Sequence, residues 1–218
     1  MSLVQRSRVD WIPIAAEKQA RYDATYGELD ERAIVRRGNT AYAAGLALLM
    51  AGDPEAADWL RRAAARWRES WDAGEARESW GRPIGALKAS LLADDAAAVK
   101  ELAYWTLELG AATSESTVGR YAATVALLTL GRWPEARHAT ESLRERDDFP
   151  HDVADALAFI AANDVVAYVE AVESVVESFE TRDDHLEDLR VADTALVLQK
   201  LARRRGIEAE LPASPVLP

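Results

Sequence analysis

The sequence predicts an all-α chain in which antiparallel helical hairpins stack on one another. Three observations carry this expectation. Apolar residues recur at three- and four-residue spacing, as in Trp59, Leu60, Ala63, Ala64, Trp67 and Trp71, with Arg61, Arg62, Arg66 and Arg68 between them. No window shows sustained period-two alternation of β-branched residues, so no strand is assigned. The 11 Gly and 8 Pro are too few for a chain built of many short strands and turns. With 218 residues, 49% of them apolar, the chain can bury a core, and it reads as a single domain over 1–218 with eight to ten helices.

Punctuation places the elements in order. Gly52, Asp53 and Pro54 end one helix and start the next, because proline tolerates only the first turn. Gly81 with Pro83, Gly110, Gly119, Gly131 with Pro134, and Phe149 with Pro150 divide the helices that follow. The polar stretch 113–117 stands where it could cap the next helix. After Asp164, Val165, Val169, Val172, Val176 and Phe179 form an apolar stripe, and Glu170, Glu173, Glu177 and Glu180 form a second stripe on another side. Asp184, His185, Leu186 and Glu187 read as a capping box that opens a closing helix over 184–205, stopped by Gly206. The tail 207–218 reads as an extended segment that packs on the surface or frays.

An internal repeat organises these helices. Residues 47–57 (Ala-Leu-Leu-Met-Ala-Gly-Asp-Pro-Glu-Ala-Ala) match residues 126–136 (Ala-Leu-Leu-Thr-Leu-Gly-Arg-Trp-Pro-Glu-Ala), with weaker copies over 91–98 and 159–167. Each copy is an apolar helix end, a tight polar turn and an Ala-bearing helix start. The turns fall near 52, 94, 131 and 163, a drifting period of about 30–42 residues that suits paired helices. Each hairpin leaves an apolar face that only a neighbouring hairpin covers, so the units stack as a short solenoid or a compact bundle. The stretch 131–136 resembles the turn and second-helix start of a tetratricopeptide repeat, and the resemblance covers about residues 40–182. The first-helix pattern of that family, Trp, Leu-Gly and Tyr at fixed spacing, is absent, so the resemblance implies a fold and no ligand-binding residues. The four-hairpin plan with its closing helix is also loosely similar to all-α immunity proteins of bacterial polymorphic-toxin systems, which implies a toxin-neutralising role.

Charge and composition exclude several function classes. Twenty-six basic against 37 acidic side chains leave a formal charge of −11 and a surface that repels nucleic acid and anionic membranes. Arg outnumbers Lys, of which there are only Lys18, Lys88, Lys100 and Lys200. The absence of Cys removes disulfides, thiolate nucleophiles and zinc–thiolate sites. Residues 1–8 lack an apolar signal core, and the longest uncharged run, 38–52, is shorter than the roughly 18–20 residues of a spanning helix. A cytoplasmic protein is expected.

Few residues offer chemistry. Glu135, His138 and Glu141 share one side of a helix over about 120° and form a candidate metal-ligand set, with Asp184 and His185 as possible partners. Carboxylate-bridged di-metal bundles carry two such Glu-x-x-His motifs, whereas this chain has one. The plain alternative is an exposed helix face with intrahelical pairing. Asp147, Asp148, His151 and Asp152, and Asp183, Asp184, His185, Glu187 and Asp188, surround the other histidines, at positions where helix starts favour acids anyway. Trp59, Trp67 and Trp71 among arginines could stack nucleic-acid bases, but they lie at core spacing, and Trp80, Trp105 and Trp133 also read as packing anchors. Serine-hydrolase, Walker and dinucleotide glycine signatures are absent.

The sequence therefore predicts a non-enzymatic helical-repeat protein without a cofactor. It would bind a protein or peptide partner, basic if the ridge Glu170, Glu173, Glu177 and Glu180 carries the contact, and a homodimer is compatible with it. The alternative is a metal-dependent helical enzyme or cofactor binder centred on Glu135, His138 and Glu141.

Overall fold

The computed structural model describes residues 9–25, 30–74 and 78–218, and over them the protein is all-α, with ten helices and no strand. Residues 1–8, read above for a signal, lie outside the described residues. The helices are α1 (Trp11–Asp23), α2 (Glu31–Ala51), α3 (Ala56–Ala73), α4 (Gly81–Leu92), α5 (Ala96–Glu108), α6 (Thr117–Thr129), α7 (Trp133–Arg144), α8 (His151–Ala162), α9 (Val165–Thr181) and α10 (Asp193–Arg205). None is long and apolar enough to cross a membrane among the described residues.

Local chemistry sets their ends. Asp10, Asp30, Asp95 and Asp164 cap α1, α2, α5 and α9 by accepting a backbone N–H of the first turn. Four turns follow the repeat signal: Gly52 and Gly131 take left-handed conformations, and so do Asp94 and Asn163, which stand where the weaker copies lack glycine.

Each helix from α1 to α9 packs on the next, and α4 packs on α6 and α6 on α8, which makes α4, α6 and α8 a continuous inner row. Helix α2 stands before that row and is joined to α4 mainly through α3. Helix α10 lies across the row against α4, α6, α8 and α9, with Ala195, Val197, Leu198, Leu201 and Ala202 all buried. Small residues let these helices approach, and Ala136 at the start of α7 is completely buried. Ala136→Leu is accordingly expected to cost about 1–3 kcal/mol through overpacking, read as a fall in the denaturation midpoint; an unchanged midpoint would place Ala136 away from the helix contact.

Trp59, Trp67, Trp71, Trp80 and Trp105 are buried, in agreement with their core spacing, while Trp133 is half-buried beneath the Arg205 guanidinium, 4.3 Å from the ring centroid. Trp67 explains two glycines inside helices, positions that ordinarily weaken a helix by about 1 kcal/mol relative to alanine. A Cβ at Gly38 of α2 would lie 2.8 Å from Trp67 Cδ1, and one at Gly85 of α4 would lie 2.9 Å from Trp67 Cε3. The indole is thus held between two bare stretches of backbone.

Two expectations are corrected. The closing helix begins at Asp193, not at 184: residues 186–188 form a single 3-10 turn in which Glu187 and Asp188 are left-handed. Gly119 does not divide helices but sits in the first turn of α6, where a Cβ would strike Ser114 and approach Trp80 Nε1. Of the two alternatives for the tail, packing on the surface is the one observed, with Val216 and Leu217 buried and the Ala192 N–H donating to Val216 O at 2.8 Å.

Candidate functional site

Polar side chains converge where α2, α4 and α6 meet the start of α10. Tyr42 comes from α2, Lys88 from α4, Tyr121 from α6, and Asp193 is the first residue of α10. Lys88 Nζ lies 2.7 Å from Asp193 Oδ2, and the Tyr42 hydroxyl donates to the same oxygen at 2.8 Å. Lys88 also donates to Thr194 Oγ1 at 3.2 Å. Burial pushes the Asp193 carboxyl up, but the Lys88 ammonium and hydrogen bonds from Lys88, Tyr42 and the Thr194 N–H outweigh it and hold it below the usual carboxylate range. Burial lowers Lys88, and the attraction of Asp193 more than restores it, so its ammonium is held more firmly than an ordinary lysine. Burial and the Asp193 charge raise the Tyr42 hydroxyl well above its usual range. These groups keep their charge and hydrogen bonds around neutral pH; none is tuned to exchange a proton there, as a general base or a nucleophilic lysine must be.

Above this network lies an open groove of about 600 Å³. Trp67, Ile84, Val118 and Leu186 give it apolar walls, and Val118 and Leu186 are exposed at 44% and 48%. Asn39 and Arg82 stand at its edge. Asn39 Oδ1 accepts from Trp67 Nε1 at 3.1 Å, and its amide nitrogen makes no hydrogen bond among the described residues. Arg82 donates to Ser70 O at 2.7 Å and pairs with Glu31. Leu186 is brought to the groove by long-range contacts: Lys18 of α1 donates to Glu187 O at 3.1 Å, and Arg21 pairs with the Glu187 carboxylate at 2.9 Å. The two cations that line the groove are paired, Lys88 with Asp193 and Arg82 with Glu31.

The residues singled out from the sequence lie elsewhere. Glu170, Glu173, Glu177 and Glu180 are all exposed on α9, opposite buried Val172, Val176 and Phe179, so they form a solvated ridge; Glu180 also accepts from Ser214 of the tail. Val165, expected in the apolar stripe, is exposed at the first position of the helix. Glu135, His138 and Glu141 are exposed along α7. Glu135 is 3.0 Å from Arg132, and its own backbone N–H together with Arg132 lowers its carboxyl. Among the described residues no three His, Asp or Glu side chains gather closely enough to hold a metal ion. Asp184 and His185 precede the 3-10 turn, well separated in sequence and element from α7.

Asp148 serves structure: it accepts from Arg146 at 2.9 Å and from Thr117 Oγ1 at 2.6 Å, which push its carboxyl down to about 2. The expected capping role of 113–117 is not met: Ser116 at the N-cap makes no side-chain cap, and Thr117 is tied instead to the loop before α8.

Sequence reasoning passed over Lys88, Asp193, Tyr42 and Tyr121. Their one local signal is a charge alone within an apolar helix: Lys88 is the only charged residue over 83–92, and Asp193 stands alone over 191–198. No known protein family matches this chain, and no curated protein or solved structure is significantly similar to it.

Proposed function

We propose that the protein is a helical-repeat binding scaffold that takes an extended segment of a protein or peptide partner in the groove bounded by α2, α4, α6 and the start of α10. The observation that carries this is the groove's composition: apolar walls, exposed at Val118 and Leu186, over a polar floor whose lining cations are paired. Apolar side chains of the partner would rest on Trp67, Ile84 and Val118, and the Asn39 amide is free to donate to a main-chain carbonyl. The pairs α2/α3, α4/α5, α6/α7 and α8/α9 are the stacked hairpins of the repeat, with the inner row providing the binding face. Because the cations that line the groove are paired, attraction at a distance falls to the net −11 and to the ridge on α9, which favour a basic partner and act mainly on the association rate. Neutralisation of a toxin is the special case in which the segment belongs to a toxic enzyme.

Selection of a random displayed-peptide library on the purified protein, followed by affinity measurements with the best synthetic peptide, tests this. Val118→Trp, which narrows the groove from an exposed position, should weaken binding at least tenfold without lowering the melting temperature. Equal affinity for the wild type and the variant would remove the groove from the function.

A further inference from the structure

A second cavity, of about 620 Å³, opens between the end of α5, α6 and α7, away from the groove. Leu107, Ala123, Leu127 and Ala139 give it an apolar lining. Its ionisable residues are Arg120, Arg132, His138 and Glu135. Glu135 is engaged by Arg132, so one negative charge is matched by one positive charge and Arg120 is left over. The ion pairs among the described residues do not include Arg120. Its Nη1 donates to Ser142 Oγ at 2.9 Å, and its Nε is shut off from solvent with no acceptor.

A half-buried guanidinium with a neutral partner and an unpaired donor is costly, because burial removes water without supplying the opposite charge. Elsewhere Arg61, Arg68, Arg82, Arg144 and Lys200 each meet a carboxylate, and Arg37 and Arg205, whose Nε atoms are likewise buried without an acceptor, lie over the rings of Tyr22 and Trp133. A positive cavity in a chain of formal charge −11 stands out against its surroundings. At contact distance the nearby guanidinium outweighs the screened field of remote carboxylates. An anion alone would be satisfied by Arg120; the apolar lining beside it suits a ligand with a hydrocarbon body.

We propose that this cavity binds a small amphiphilic anion, its carboxylate or phosphate head on Arg120 and its apolar body on Leu107, Ala123 and Leu127. The site is separate from the peptide groove and stands whether or not a peptide binds there.

Calorimetric titration with octanoate, octyl phosphate and uncharged octanamide, each below its aggregation concentration, tests it. At least one of the two anions should bind at one site per chain, at least tenfold more tightly than octanamide, and the stronger of the two identifies the head group. Arg120→Gln should remove the preference for the anion, with thermal melting used to verify folding. Ala112→Trp, at an exposed position on the cavity edge, should weaken the anion while leaving Arg120 in place. No binding of either anion, equal binding of octanoate, octyl phosphate and octanamide, or unchanged anion binding by a folded Arg120→Gln protein would overturn the proposal.

Discussion

Asp193→Ala is expected to lower the stability of the protein by about 3–5 kcal/mol, the range for breaking a buried ion pair by removing one partner. For a chain of this size that is a fall in melting temperature of roughly 6–20 °C. The cause is what remains: Lys88, whose ammonium burial disfavours and Asp193 supports, is left inside the packed junction of α4 and α10 with only Thr194 as a side-chain partner. Tyr42 loses its acceptor in the same step. The double variant Lys88→Met with Asp193→Leu should recover most of the loss, since no charge is then buried.

The effect has a defined pH window. The Asp193 carboxyl is lowered on folding, so its contribution is present above its unfolded value of about 3.9 and is lost as pH falls through the folded value. The Lys88 ammonium is raised on folding, so its contribution is present below about 10.4 and is lost as pH rises through the folded value. The difference in melting temperature between the wild type and Asp193→Ala should therefore be flat around neutrality and shrink in acid. A difference that stays constant down to pH 2.5 would mean the pair is not formed as described.

Trp67→Ala is expected to cost about 3–5 kcal/mol, the usual penalty for emptying a large aromatic site in a core. The site cannot collapse onto smaller side chains, because the neighbours above and below the ring, Gly38 and Gly85, have none. The ring also packs on Tyr42, with centroids 5.2 Å apart, and its N–H holds Asn39. Trp67→Phe should lose less, as it keeps an aromatic ring between the helices and gives up the hydrogen bond. Chemical denaturation reads both variants, and a midpoint unchanged in Trp67→Ala would mark the ring as solvent-exposed.

What the sequence revealed follows the range of the interactions. Turns at Gly52, Asp94, Gly131 and Asn163 are local events, written in a few residues, and all four take the left-handed backbone that closes a helix. The core tryptophans were legible from helical spacing alone. The acidic ridge on α9 was legible as well, since four glutamates on one helical face remain on one face in any packing. The start of the closing helix was not. Asp184 and Glu187 carry the capping pattern, but Lys18 and Arg21, near the other end of the chain, hold Glu187 in a left-handed turn instead. Gly119 misled for a related reason, because its lack of a side chain serves a contact with Ser114 and Trp80 rather than a turn. The groove depends most on long-range order. Its lysine, aspartate and tyrosines come from four helices, and no spacing rule links Lys88 to Asp193.

The binding site is tested most directly by NMR mapping of a selected peptide on the isotope-labelled protein. The expected result is that shifts saturating with the peptide concentrate at Asn39, Ile84, Val118, Tyr121 and Leu186. Shifts confined to α7 or α9, or none at saturating peptide, would contradict the assignment of the groove.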